Sequence, residues 1–449
     1  MSAQAAVVVA ERYAPPLRIG RRRQTIWAVG LIAFAAVPIV AVAAPGDYGD
    51  WPAFWVAGRL VGTLDLADIG RQAAWQEANG LAAAYFPYPP PIALLFAPFA
   101  AVSLGLSFWL WAAVMAVAAV LAGWTLAPIY RLRRSDAVLA VLAWAPVTAS
   151  LAMGQNGPLG LLLAAFAITA LVRDDDRMLG VATGLLLYKP MWGLPLVLLL
   201  VLRSRWRAIG IVGVVVAAGY LLGILATGGD AAWPEQWLRG VNAYAGPDRD
   251  GNALKVISLP LLLERAGAPA WLALAAGAAV VAAAIPSLRR AAPAEAAAAV
   301  CLVGLAVSPH ALPYDAALAA PFLLWMLGGG IVEPWRTRLV AGAYLLGPLL
   351  FFSFATVAVS PVVVILGAAA LGAALLLWAL GGGVTGRSRS RLVGAACVLC
   401  ALSSFALATA IASPAVVVLG GVVLWLSGRW RSDAPVPQVI AATPASATK

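Results

Sequence analysis

A carboxylate, an ammonium and an imidazole stand at three points of a chain that is otherwise apolar. Asp50 opens the segment Asp-Trp-Pro-Ala-Phe-Trp-Val-Ala-Gly-Arg, Lys189 sits in Tyr-Lys-Pro, and His310, the chain's one histidine, sits in Ser-Pro-His-Ala-Leu-Pro-Tyr-Asp. A carboxylate can take the proton of an attacking hydroxyl, and a lysine or histidine can meet the charge of a phosphate. Further polar candidates lie nearby in the same kinds of segment. They are Asp47 in Gly-Asp-Tyr-Gly, Tyr88 in Phe-Pro-Tyr-Pro-Pro-Pro, Gln155 and Asn156 in Met-Gly-Gln-Asn-Gly, Asn252, and Tyr314 and Asp315 after the histidine. Each also has a structural reading. Asp50 before Trp51 and Pro52 suits a helix N-cap, Asp47 suits a turn, and the prolines after Tyr88 suit an extended lead into a helix. Gln155 and Asn156 suit a tight turn, and a lone histidine is often structural. Lys189 is harder to dismiss, because a lysine in an apolar hairpin must snorkel or pair, and a phosphate is a natural partner.

The elements that must position these residues are membrane helices. Of 449 residues 63% are hydrophobic and 11% charged, which does not fit a soluble domain. Apolar runs of about 20 residues recur, each long enough to cross a hydrocarbon core about 30 Å thick. Only helices and closed barrels satisfy a backbone in lipid, and these Leu/Ala/Val runs are helical. The first, Thr25–Ala44, follows Arg21, Arg22 and Arg23 and lacks a convincing cleavage site, so it is expected to remain as a span. Others are expected near 92–128, 136–152, 158–172, 178–188, 190–203, 207–227, 268–286, 294–309 and 313–330, with more between 338 and 428.

The net charge of +11 does not call for nucleic acid. With the N-terminus inside, most of the basic residues fall in cytoplasmic segments and the acidic residues lean to the opposite side, which is the positive-inside rule applied along a whole chain. This implies a multi-pass protein of the cell (inner) membrane with a cytoplasmic N-terminus. The segment Met178–Leu202 has the length of one span, yet both its flanks are basic. Two short helices turning at Tyr188, Lys189 and Pro190 resolve the conflict. The polar clusters then all gather on the outer side, including a loop expected over Gly228–Lys255, whose Trp233, Trp237 and Tyr244 suit a lipid interface. The domain organisation expected is a disordered cytoplasmic N-terminus (1–20), a catalytic transmembrane module (21–330), additional transmembrane helices (331–430) and a disordered cytoplasmic tail (431–449). Cys397 and Cys400 have C-x-x-C spacing inside an apolar span without polar company, which reads as packing. No run of carboxylates, histidines or cysteines has the spacing of a metal site.

Five of these motifs, in order over roughly residues 20–330, resemble glycosyltransferase family 87. They are the Asp-Trp-Pro helix, Phe-Pro-Tyr-Pro-Pro-Pro, Gly-Gln-Asn-Gly, Tyr-Lys-Pro, and Ser-Pro-His-Ala-Leu-Pro-Tyr-Asp. The resemblance implies an all-α, polytopic GT-C-type bundle of about 12–14 transmembrane helices. It implies an enzyme that moves a sugar, mannose or another hexose or pentose, from a polyprenyl-phosphate donor to a glycolipid or glycan acceptor at the outer membrane face, similar to polyprenol-phosphate-mannose-dependent α-1,2-mannosyltransferases. It places the catalytic carboxylate at Asp50, with Asp47 as runner-up, and donor phosphate and lipid contacts at Lys189, His310 and Tyr88. Gln155, Asn156, Asn252, Tyr314 and Asp315 become further pocket candidates. No cofactor and no metal are implied beyond the lipid-linked donor itself. The family often has two tyrosines where this chain has Phe54 and Trp55. A membrane transporter or lipid-linked sugar flippase is the alternative, and it would show an inverted repeat with polar residues at midplane.

Overall fold

The structure, a computed structural model, describes residues 48–81, 85–252, 257–265 and 267–328, together with Val418, Val422 and Trp425. The expected span over Thr25–Ala44, Asp47, the spans beyond 338, Cys397, Cys400 and the two chain ends lie outside the described residues. Every regular element among the described residues is helical. In chain order the α-helices are α1 (Trp51–Arg59), α2 (Ile69–Ala78), α3 (Ala93–Ala100), α4 (Leu104–Ile129), α5 (Arg134–Leu142), α6 (Ala145–Ala152), α7 (Gly157–Arg173) and α8 (Asp176–Leu186). They continue with α9 (Pro190–Leu202), α10 (Trp206–Ala226), α11 (Trp233–Asn252), α12 (Leu259–Arg265), α13 (Ala270–Arg290), α14 (Pro293–Val307) and α15 (Ala320–Gly328). Short 3-10 turns cover Leu64–Ala67, Pro90–Ile92 and Pro313–Ala319.

Three described helices, α4, α10 and α13, are long and apolar enough to cross a membrane. Helices α5 and α6, bent by 57° at their break, have together the length and apolarity of either a broken span or a re-entrant loop. Helices α3, α7, α9 and α14 are shorter apolar helices. Helix α4 shows how a spanning helix divides its surface. Phe108, Trp111, Met115, Ala122 and Leu126 are buried, whereas Trp109, Leu110, Val117, Leu121 and Trp124 are exposed. An apolar face without a protein partner belongs against lipid tails.

Several expected boundaries move, each for a local reason. The single span expected over 92–128 is two helices, because the chain breaks at Ala101–Ser103 after Pro98 in α3. The span expected over 136–152 breaks at Ala143 and Trp144, where Pro146 can start a helix but cannot continue one. The segment read as a loop over Gly228–Lys255 carries the 20-residue helix α11. That helix is amphipathic rather than apolar, so hydropathy alone passes over it. The hairpin between 178 and 203 does form as two helices, α8 ending at Leu186 and α9 starting at Pro190.

Helix α14 runs through the middle. Its residues Ala296 to Ala306 are all buried, and their small side chains let neighbours approach closely. Around it a large apolar core joins α4 to α10 with α14, α15 and the hairpin. A second, aromatic core holds Trp51, Phe54, Phe86, Phe96, Phe108 and Trp111. Tyr188, at the hairpin tip, packs against both, so the polar residues sit at the seam between them.

Candidate functional site

The seam is assembled from interlocking turns. Trp51 is fully buried, stacks on Trp111 with ring centroids 5.4 Å apart, and donates its indole N–H to Ser107 Oγ at 2.8 Å. Its anchoring fixes the start of α1, and hence Asp50. Beside it the turn Met153–Asn156 folds against residues 49–51. The Asp50 backbone N–H donates to the Met153 carbonyl at 3.0 Å, and Trp111 donates to the Gly154 carbonyl at 3.1 Å. Both turns need glycine. Gly49 has φ +57° and Gly154 φ +65°, and a Cβ on Gly154 would lie 2.6 Å from Trp51 Cβ.

This docking brings two side chains together across 105 residues. Gln155 Nε2 donates to Asp50 Oδ2 at 2.6 Å. The Asp50 side chain makes no N-cap hydrogen bond to α1, so the capping reading gives way. Its residue holds helical φ and ψ, and the carboxylate is engaged by Gln155 instead. Gln155 Oε1 in turn accepts from the Tyr88 hydroxyl at 3.3 Å. Tyr88 is held by the prolines that follow it, with Pro89 extended and Pro90–Ile92 turning into α3. From above, α11 reaches the same strip, where Trp237 donates to the Pro87 carbonyl at 3.0 Å.

Lys189 lies next. Its ammonium is 2.5 Å from Asp315 Oδ1 and is surrounded by the rings of Trp192 (4.4 Å to the centroid), Tyr314 (5.3 Å) and Tyr88 (5.6 Å). The second Asp315 oxygen accepts from the Leu312 N–H at 2.8 Å. The lysine was expected to await a phosphate; in the fold it is paired with a carboxylate 126 residues away, and both side chains are buried. The reason is energetic, since a buried ammonium without a counter-charge costs several kcal/mol, by a rough estimate. Asp50, Gln155, Tyr88, Lys189, Tyr314 and Asp315 thus form one connected polar seam.

His310 is part-exposed, and its backbone N–H donates to Ser308 Oγ at 3.0 Å, which fixes the Ser-Pro-His turn just ahead of Tyr314. Asn156 is completely buried at the start of α7. Asn252 is the last residue of α11. Two side chains at the seam, Tyr188 and Trp192, were not singled out by sequence. They flank Lys189 with rings 5.8 Å apart, and Tyr188 packs on Tyr88 at 6.2 Å. Their signal was present as aromatic residues one before and three after the lysine. Among the described residues no group of three or more His, Cys, Asp or Glu side chains could hold a metal ion.

The opposite end of the bundle is basic. Arg205, between α9 and α10, pairs with Asp174 just after α7 and with Asp176, the first residue of α8. Partial burial works against its charge, but the two carboxylates outweigh that and raise its pKa. Arg203 donates from Nε and Nη2 to the Leu288 carbonyl, at 3.1 and 2.7 Å, and from Nη2 to the Ala291 carbonyl. Trp425 donates to Glu295 at 3.0 Å near the start of α14. The turns that positive-inside counting put on one side are therefore in contact with each other.

No curated protein and no solved structure matches the chain. The model of glycosyltransferase family 87 matches residues 86–309, about half of the chain. The match includes Tyr88, Gln155, Asn156, Lys189 and Asn252; it begins after Asp50 and stops one residue before His310. An all-helical bundle with membrane-length helices, a polar seam at one end and this match together make the chain a multi-pass membrane glycosyltransferase that belongs to glycosyltransferase family 87.

Proposed function

We propose that the polar seam transfers a sugar from a polyprenyl-phosphate donor to a hydroxyl of a glycolipid or glycan acceptor, at the outer face of the cell (inner) membrane. The observation that carries this reading is the Asp50–Gln155 contact. It sets a half-buried carboxylate at the seam, with its orientation fixed by a 2.6 Å hydrogen bond. The acceptor oxygen attacks the anomeric carbon as the bond from that carbon to the phosphate oxygen breaks. Asp50 takes the acceptor's proton, and the polyprenyl phosphate leaves with the electron pair. A single displacement inverts the anomeric centre.

Positive and hydrogen-bonding groups stabilise the departing phosphate where its charge develops. His310, part-exposed on the Ser-Pro-His turn, is assigned that contact. Lys189 contributes from below, tempered by Asp315. The leaving group is a phosphate monoester and already departs well, so the step is assigned no metal and no cofactor. Tyr88 and the strip under α11 seat the upper part of the prenyl chain. The placement of the basic turns at the other end of the bundle supports the orientation, since basic turns stay cytoplasmic.

The test is transfer by the purified full-length protein in liposomes, supplied with polyprenyl-phosphate hexoses or pentoses and candidate acceptors. A product of inverted configuration is expected, and none with Asp50→Ala. Movement of lipid-linked sugar across the bilayer without product would instead favour a flippase. Full turnover in Asp50→Ala would remove the base from the mechanism.

A further inference from the structure

Three side chains around Lys189 carry buried polar atoms whose hydrogen-bonding capacity no described residue uses. Among the described residues neither the amide nitrogen nor the oxygen of Asn156 has a partner, and the Tyr188 hydroxyl and the Trp192 indole N–H are likewise unpartnered. Asn156 is 0% and Trp192 2% exposed. Asn156 stands at the N-cap position of α7 yet makes no capping bond. Unsatisfied buried groups are rare because each costs about 1–3 kcal/mol, and three in one neighbourhood call for a common cause. They do share a neighbourhood. The first turns of α7 pack on the Tyr314 carbonyl at Gly157 and on the Trp192 ring at Gly160, while Trp192 and Tyr188 flank Lys189.

We propose that Asn156, Tyr188 and Trp192 form a subsite for a neutral, polyhydroxylated ring, the sugar of the lipid-linked donor, beside the Lys189–Asp315 pair. This rests on the transferase reading and names where its sugar is held. The chemistry fits a sugar better than a phosphate. Among the described residues the charges paired in this corner are the buried lysine and Asp315, and the carboxylate tempers what the ammonium offers an anion. An amide supplies one acceptor and two donors, an indole one donor and a phenol both, which matches neighbouring hydroxyls that each donate and accept. The rings of Tyr88, Trp192 and Tyr314 around Lys189 provide apolar walls for the C–H faces of a pyranose or furanose.

The experiment uses full-length protein in a sugar-free zwitterionic detergent. It is titrated by calorimetry with a short-chain prenyl phosphate and with the mannosyl, glucosyl and arabinosyl derivatives of that same phosphate. The wild type is expected to bind at least one sugar-bearing lipid about tenfold more tightly than the bare phosphate, a difference worth about one buried hydrogen bond. Asn156→Leu and Trp192→Phe are expected to bind both alike, with melting temperatures unchanged or raised, because each removes an unsatisfied group. Preference kept in both variants, no preference in the wild type, or lowered melting temperatures with unchanged preference each overturn the subsite; the last identifies bound water or structure as the cause. A variant-sensitive preference in a protein that glycosylates no acceptor keeps the subsite and sinks the transferase reading. Transfer by the wild type with an unchanged donor KM in Asn156→Leu does the reverse.

Discussion

The two ends of the bundle fasten distant loops with ion pairs, but they do so in different media. At the basic end Arg205 is 21% exposed and its partner Asp174 81% exposed, and Arg203 spends its donors on backbone carbonyls. At the polar end the Lys189 side chain is 9% exposed and that of Asp315 0%, and around them stand polar atoms with no partner among the described residues. A wet pair can be made and broken at little cost, since water replaces either partner. A dry pair is an obligation, because removing one member strands the other. The basic end therefore reads as fastening and topology. The polar end keeps costly groups in place, which folding alone does not reward.

Four tests by substitution sharpen or break that contrast. The largest effect belongs to Asp50→Asn, which keeps the shape of the contact to Gln155 and removes the base. Transfer is expected to fall by about 10²–10⁴-fold, with the melting temperature within a degree or two of wild type; near-normal turnover would leave the polar end with no chemistry at Asp50. Next, Lys189→Ala or Asp315→Leu alone should each cost about 3–5 kcal/mol, read by thermal or denaturant unfolding in detergent. The double variant Lys189→Met/Asp315→Leu should recover most of that stability without recovering transfer. If the single variants unfold like wild type, the pair is not dry and the contrast between the ends collapses.

Gly154→Ala comes third. Its φ of +65° and the 2.6 Å approach to Trp51 Cβ put the expected destabilisation at about 1–3 kcal/mol. Because this turn delivers Gln155 to Asp50, activity should drop more than stability at temperatures where the protein is folded. The smallest effect is expected from Arg205→Ala at the basic end, under about 1 kcal/mol and shrinking further in high salt, with transfer unchanged. A loss of transfer there would mean that the two ends are coupled.

The fold class was legible because lipid imposes it. Apolar runs of membrane length must be helical, and basic turns sort to one side, so the multi-pass bundle and the short hairpin before Pro190 follow from local composition. Amphipathic α11 escaped because a helix with one polar face has low mean hydropathy. Breaks within long apolar runs, at Ala101–Ser103 and at Ala143 and Trp144, escaped because apolarity does not say where a helix ends. Tyr188 and Trp192 escaped because an aromatic residue in a membrane protein is usually packing.

By itself the sequence marked the polar residues that the fold gathers at one end of the bundle: Asp50, Tyr88, Gln155, Lys189 and Asp315 are written in motifs whose polarity stands out against an apolar chain. Only the tertiary structure decided their partners. Gln155 meets Asp50 across 105 residues and Lys189 meets Asp315 across 126, and no local propensity encodes a choice over that distance. It is made by packing, where the Trp51–Trp111 stack and the opposed glycine turns bring the elements together, and by the cost of leaving a buried charge alone.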